Sequence, residues 1–73
     1  MSKFNSLSEA EQEIAKEMIY DGDVISYDCF TKSDNPEIEI EQYVVATAED
    51  PESEYHITLW NDEPVYFKRY KAQ

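Results

Sequence analysis

Between residues 37 and 41 glutamate alternates with isoleucine: Glu37, Ile38, Glu39, Ile40, Glu41. Period-two alternation predicts a strand with one dry and one wet face, because successive side chains of an extended chain point to opposite sides. The wet face carries only carboxylates. From Ser33 to Phe67 the chain has ten acidic residues and neither lysine nor arginine, and over all 73 residues 17 acidic against six basic side chains leave a net charge of −11. Such self-repulsion opposes compaction. It also excludes nucleic acid and anionic membrane as direct partners, because both are bound through basic patches.

The length predicts a single domain, residues 1–73, with a modest core and little room for a deep catalytic cleft as well. At 41% hydrophobic and 14% aromatic, the chain is too rich in core-forming residues to be disordered. The stretch NSLSEAEQEIAKEMIYDGD reads as one helix. Ser8 and Glu11 fit a capping box, acidic residues fill the first turns, and Leu7, Ala10, Ile14 and Met18 form an apolar stripe. The helix is expected to end near Tyr20, with Gly22, the sole glycine, as a left-handed cap.

Four strand-like runs follow. In residues 23–31, Ile25, Tyr27 and Cys29 share one face and Val24, Asp28 and Phe30 the other. Residues 37–48 are long for one strand, and the apolar phase shifts from Ile38 and Ile40 into YVV, so a bend or bulge is expected near Gln42. EDPESE reads as an acidic turn. In residues 55–60, Tyr55, Ile57 and Leu59 point inward, with His56, Thr58 and Trp60 outward. NDEP is a tight hairpin connection, and VYFKRYK closes the chain as an alternating strand whose cations face water, neutralise nearby acids or pair with Glu13 and Glu17. One helix and four sequential strands with short links predict an α+β fold, an N-terminal helix packed on a four-stranded antiparallel sheet.

Catalytic constellations are absent from this reading. One histidine, one cysteine and no glycine-rich loop leave few ways to build a nucleophile, a phosphate cradle or a zinc site. Cys29 is expected as a reduced core thiol and His56 as a solvent-facing strand residue. The DGD at 21–23 lacks the remaining ligands of a calcium loop, and EDPESE reads as a solvated turn. No cofactor and no metal are expected. Without a signal-like or membrane-length apolar run, the reading is a cytoplasmic protein.

The charges themselves are the feature to explain. Soluble surfaces usually intersperse both signs. Here Glu37, Glu39 and Glu41 would lie about 6–7 Å apart on one strand face, close to the spacing of phosphates along a nucleic-acid strand. Asp28, Asp62 and Glu63 would extend the row across the sheet, Glu49 and Asp50 belong to the same cation-free run, and Trp60, with Tyr43 and Phe30 as alternatives, would supply an aromatic anchor.

Part of the chain resembles a known family. Val45, Thr47, Ala48 and Asp50, then Asp62, Pro64 and Tyr66 in the next turn, are similar to the pattern of the uracil-DNA glycosylase inhibitors carried by certain bacteriophages. The opening NSLSE also looks like that family's start. The resemblance implies an α+β protein that imitates DNA and occupies the DNA-binding groove of the glycosylase. It implies that Asp62 faces the enzyme, that Ile57 and Leu59 help line an apolar pocket for an inserted enzyme side chain, and that Asp28 stands in for the family's first-strand glutamate. TKSDNP is too short for that family's second helix.

The expectation is therefore a non-enzymatic, phage-encoded inhibitor, a monomer or small homodimer, acting in the bacterial cytoplasm on a DNA-binding host protein such as a glycosylase or nuclease. A blocker of CRISPR or restriction complexes would share these traits. A second class is an adaptor that binds a basic protein segment through a free sheet edge, and a third is a small hydrolase that uses paired carboxylates.

Overall fold

A computed structural model describes residues 7–71. Its elements are α1 (Glu9–Asp21), β1 (Asp23–Lys32), β2 (Asn35–Thr47), β3 (Asp50–Trp60) and β4 (Glu63–Lys71). The strands form one antiparallel sheet in the order β1-β2-β3-β4, and α1 packs on one of its faces, against β2 and β4. This is the α+β arrangement that the sequence predicts.

Ser8 starts α1 as a capping box: its hydroxyl accepts from the Glu11 amide at 3.2 Å, and its own amide donates to Glu11 Oε1 at 3.1 Å. Two backbone donors that a helix start leaves open are thereby satisfied. The packed stripe differs from the expected one. Ala15 is fully buried, with Met18 and Ile19 against the core, while Ala10 and Ile14 are exposed. The small Ala15 side chain faces the sheet, which turns Ile14 outward.

Gly22 ends the helix, one residue later than expected, but not as a left-handed cap. Its φ of −85° is open to any residue, and its amide donates to the Met18 carbonyl at 2.8 Å. Glycine is needed here for space. A β-carbon at this position would lie 2.5 Å from Val45 Cγ1 and 2.6 Å from the Met18 carbonyl oxygen. The end of the helix is packed tightly against β2 at this point.

The residues between strands form short turns at Ser33–Asp34, Ala48–Glu49 and Asn61–Asp62. EDPESE is therefore mostly strand rather than turn. Opposite charge explains the difference: the start of β3 lies beside the basic end of β4, with Ser53 opposite Lys71 and Tyr55 opposite Arg69. Arg69 Nε reaches Asp50 Oδ2 at 3.0 Å and the buried Ser53 hydroxyl at 3.1 Å. The tail cations thus neutralise a strand acid; no ion pair joins them to Glu13 or Glu17 among the described residues.

No bulge occurs at Gln42, since β2 pairs with β3 in continuous register from Ile40 to Val45. The phase shift marks a change in which face is covered. Tyr43 and Val45 lie under the helix with Ile57, Leu59 and Phe67. Ile38 and Ile40 are buried on the opposite face, where Ile40 is flanked by Phe30 and Trp60 in neighbouring strands. In β1 the register shifts between Val24 and Ser26, which sets Val24 opposite Val45 rather than on the face of Asp28 and Phe30. All of β1 except Lys32 is exposed, including Cys29, because β1 is an edge strand and the helix does not reach it. The expected core thiol is a surface thiol.

Candidate partner-binding face

Pairing places Tyr27 opposite Tyr43 and Cys29 opposite Glu41. Side chains opposite one another share a face, so Tyr27, Cys29, Glu41 and Tyr43 meet on the helix side of the sheet. Alternation puts Glu39 on that side as well, beyond the part of β2 that the helix covers, while Glu37 lies in the stretch between Asn35 and Glu39 where the β1–β2 register shifts; both are exposed. Strand geometry sets Glu39 and Glu41 about 6–7 Å apart, and Glu37 continues the acidic run past the register shift.

Two tyrosines fix the inner end of the row. Glu41 Oε2 accepts hydrogen bonds from Tyr27 at 2.8 Å and Tyr43 at 3.2 Å, and the two rings pack with centroids 4.9 Å apart. The Tyr27 phenol is held well above its ordinary range, chiefly by its hydrogen bond to Glu41 and next by its hydrogen bond to Cys29. Burial pushes the Tyr43 phenol up, followed by the charge of Glu41, the Glu41 hydrogen bond and the charge of Asp62. Both hydroxyls therefore remain protonated donors at neutral pH and hold the carboxylate in place.

The outer end of the row is fixed by a turn. Asn61 donates its amide to the Glu39 carbonyl at 2.9 Å, and its side-chain oxygen accepts from the Glu39 amide at 2.8 Å. Asn61 and Asp62 both have positive φ, 49° and 68°, the left-handed pair that suits a two-residue hairpin. The turn brings Asp62 to the same end as Glu39 and Glu41, near enough for its charge to act on Tyr43. Glu37, Glu39, Glu41 and Asp62 have no cationic partner among the described residues.

The other sequence candidates separate from this group. Asp28 lies opposite Gln42 and Glu63 opposite Trp60, which puts all of them on the far face. Trp60 is half-buried there, and Lys32 Nζ stands 5.0 Å from its ring centroid. Phe30 is exposed on that face too; of the three aromatic candidates, only Tyr43 adjoins the row. Glu49 and Asp50 lie at the other end of β2, which by strand rise is roughly 30 Å from Glu37. Asp50 is also engaged: it pairs with Arg69 and accepts the Tyr55 hydroxyl at 3.0 Å. Ile57 and Leu59 are core residues with 1% and 8% exposure, packed with Ala15 and Val45, and so do not open a pocket for an inserted side chain. His56 is half-buried on the far face, with Glu54 3.5 Å away and the Tyr70 ring 4.4 Å from its own.

Tyr27 and Asn61 complete the site without having been singled out in the sequence. The one available signal for Asn61 was its place in the NDEP turn, because asparagine adopts positive φ more readily than most residues. Comparison of the chain with protein-family models, curated proteins and solved structures finds no match. Asn5 and Ser6, part of the opening stretch used in the family resemblance, lie outside the described residues. No α-helix among the described residues is long and apolar enough to cross a membrane.

Proposed function

We propose that this chain is a non-catalytic inhibitor that imitates DNA, using Glu37, Glu39, Glu41 and Asp62 to occupy phosphate-binding positions in the basic groove of a bacterial DNA-handling protein. The observation that carries the proposal is the row itself. Its members gather at one end of the sheet, Glu39 and Glu41 on one face at near-phosphate pitch with Glu37 and Asp62 beside them, and none has an ion-pair partner among the described residues. A flexible acidic loop would lose side-chain and backbone freedom on docking. Here Tyr27, Tyr43 and Asn61 have already met part of that cost at Glu41 and Glu39.

The sequence resemblance makes a uracil-DNA glycosylase the first target, and a phage origin goes with it. The groove of a CRISPR or restriction nuclease would accept the same charges. Net attraction would speed association and make it salt-sensitive. The deciding experiment is competition. Purified protein is added to a uracil-DNA glycosylase, and to representative nucleases, each holding a labelled short duplex. Release of the duplex in proportion to added protein supports the proposal, and the same release with Glu37, Glu39 and Glu41 all changed to Gln would overturn it.

The exposed edge of β1 favours a second reading. A free edge strand presents unpaired backbone donors and acceptors, and an extended basic segment of a partner would satisfy them. An adaptor of this kind would hold its partner whether or not duplex DNA is bound.

A further inference from the structure

A wide groove lies away from the glutamate row. It measures about 520 Å³ and runs between the C-terminal half of α1 and the turn joining β2 to β3. Its apolar lining is Ile14, Met18, Ala46 and Ala48, with Ile14 45% exposed although it belongs to α1, which packs on the sheet. Glu17, Asp21, Asp23 and Glu49 also line it, and none has a cationic partner among the described residues. The last helical turn contains no basic residue, so the negative end of the helix dipole adds to the same field.

We infer that this groove receives an arginine side chain, with its apolar neighbour, from a basic segment of a partner protein. Arginine matches both parts of the groove. Its aliphatic stem covers apolar surface, and its planar guanidinium offers forked donors to carboxylates on more than one side. The volume lies within the range of ordinary ligand sites. An anionic lipid or a nucleic acid would be repelled by the four acids. A bound metal is a poor fit, since no three acidic, histidine or cysteine side chains converge in ligand geometry among the described residues. The far-face cavity beside Tyr66, Tyr70 and His56 shows no such complementarity, as its lining mixes Asp28 with neutral groups. This inference does not depend on DNA imitation, because the groove and the row are different surfaces.

The test is an NMR titration of the isotope-labelled full chain with a capped tetrapeptide alternating leucine and arginine. The expected result is saturable shifts confined to Ile14, Met18, Gly22 and residues 46–49. The double variant Asp21→Asn/Glu49→Gln should weaken binding about tenfold, a difference of about 1.4 kcal/mol. Ile14→Ser should weaken it as well, and a peptide with glutamine in place of arginine should produce no saturation. All these changes lie at exposed positions, so the fold should be retained. Equal shifts with spermidine would reduce the groove to a general cation attractor and overturn the inference. So would shifts centred on Glu37–Glu41, or shifts of the groove residues on concentrating the protein alone, which would mark a second copy as the occupant. The Glu37, Glu39 and Glu41 variants should leave peptide binding unchanged, so failure here and failure of DNA competition are read separately.

Discussion

Tyr27 donates its hydroxyl to Glu41 Oε2 across the β1–β2 pair at 2.8 Å, and Tyr43 reaches the same oxygen at 3.2 Å from within β2. The Tyr27 phenol prefers its neutral form in the folded protein, chiefly because ionising it would give up the hydrogen bond it donates to Glu41. A group with a folded pKa above its unfolded value adds stability that is present below the unfolded value and lost as pH rises through the folded one. The prediction is a Tyr27 ring resonance that titrates well above the ordinary value of 10.0. In Glu41→Gln it should move back toward that value. An unchanged midpoint in the variant would show that Glu41 is not its cause.

Neutralising the acids of the row singly should weaken partner binding in steps. Glu37→Gln, Glu39→Gln and Asp62→Asn each remove one exposed charge, and a rim charge acts mainly through association rate and salt dependence. Asp28→Asn and Glu63→Gln, on the far face, should leave the association rate nearly unchanged. Stopped-flow association at two ionic strengths with the enzyme whose duplex the protein displaces distinguishes the two sets. Equal effects from both would mean that net charge, and not the row, drives binding.

Asp62 has a φ of 68°, a conformation that suits glycine better than a residue with a β-carbon. Strain of this kind is tolerated at functional sites. Asp62→Gly should therefore stabilise the fold by about 0.5–1 kcal/mol, as relief of the turn outweighs the added freedom of the unfolded chain. The same change should weaken the partner complex. Chemical denaturation and binding measured on one preparation test the trade. A variant that loses stability would show that the aspartate side chain contributes more to the turn than its backbone costs.

The sequence made some of this arrangement readable and hid the rest for identifiable reasons. The capping box at Ser8 and Glu11 and the inward set Ile57 and Leu59 are local patterns, and they fold as written. The meander follows from short links between strand-like runs. Register is another matter, because it depends on how separate strands meet. Asp28 and Glu41 look like neighbours by alternation, yet a register that sets Cys29 opposite Glu41 sends Asp28 to the other face. The Ile38–Ile40 and Tyr43–Val45 phases imitate a bulge because each face of β2 is covered at a different end. Gly22 is ambiguous in sequence because a glycine after a helix has two uses, positive φ and close approach, and only its packing tells them apart.

Asp50 ties the two ends of the β3–β4 hairpin's open side through Arg69 and Tyr55. Burial raises its pKa, but hydrogen bonds from Tyr55 and Ser53 and the charge of Arg69 outweigh this, and the net shift is downward. A depressed carboxyl contributes stability that is present above its ordinary value of 3.8 and lost as pH falls through the lower folded value. Melting temperatures of the parent and Asp50→Asn should differ at neutral pH and converge in acid. A gap that stays constant down to strong acid would assign the effect of the mutation to lost packing instead.

Gly22→Ala tests the tight packing of the helix end against β2. The added methyl meets Val45 Cγ1 and the Met18 carbonyl, and neither can easily withdraw: Val45 is fully buried, and the carbonyl accepts the bond that ends the helix. Because φ at this residue is −85°, alanine has no backbone penalty, and in the unfolded chain it would even favour folding. The steric term should prevail, with a loss of about 1–3 kcal/mol. If the contact is the cause, Val45→Ala in the same chain should recover part of the deficit by removing the branch that blocks the methyl, although that substitution alone destabilises the core. Denaturation midpoints for the two single variants and the double variant give the coupling energy. Simple additivity would mean that the closeness of Gly22 and Val45 does not determine which residue can end this helix.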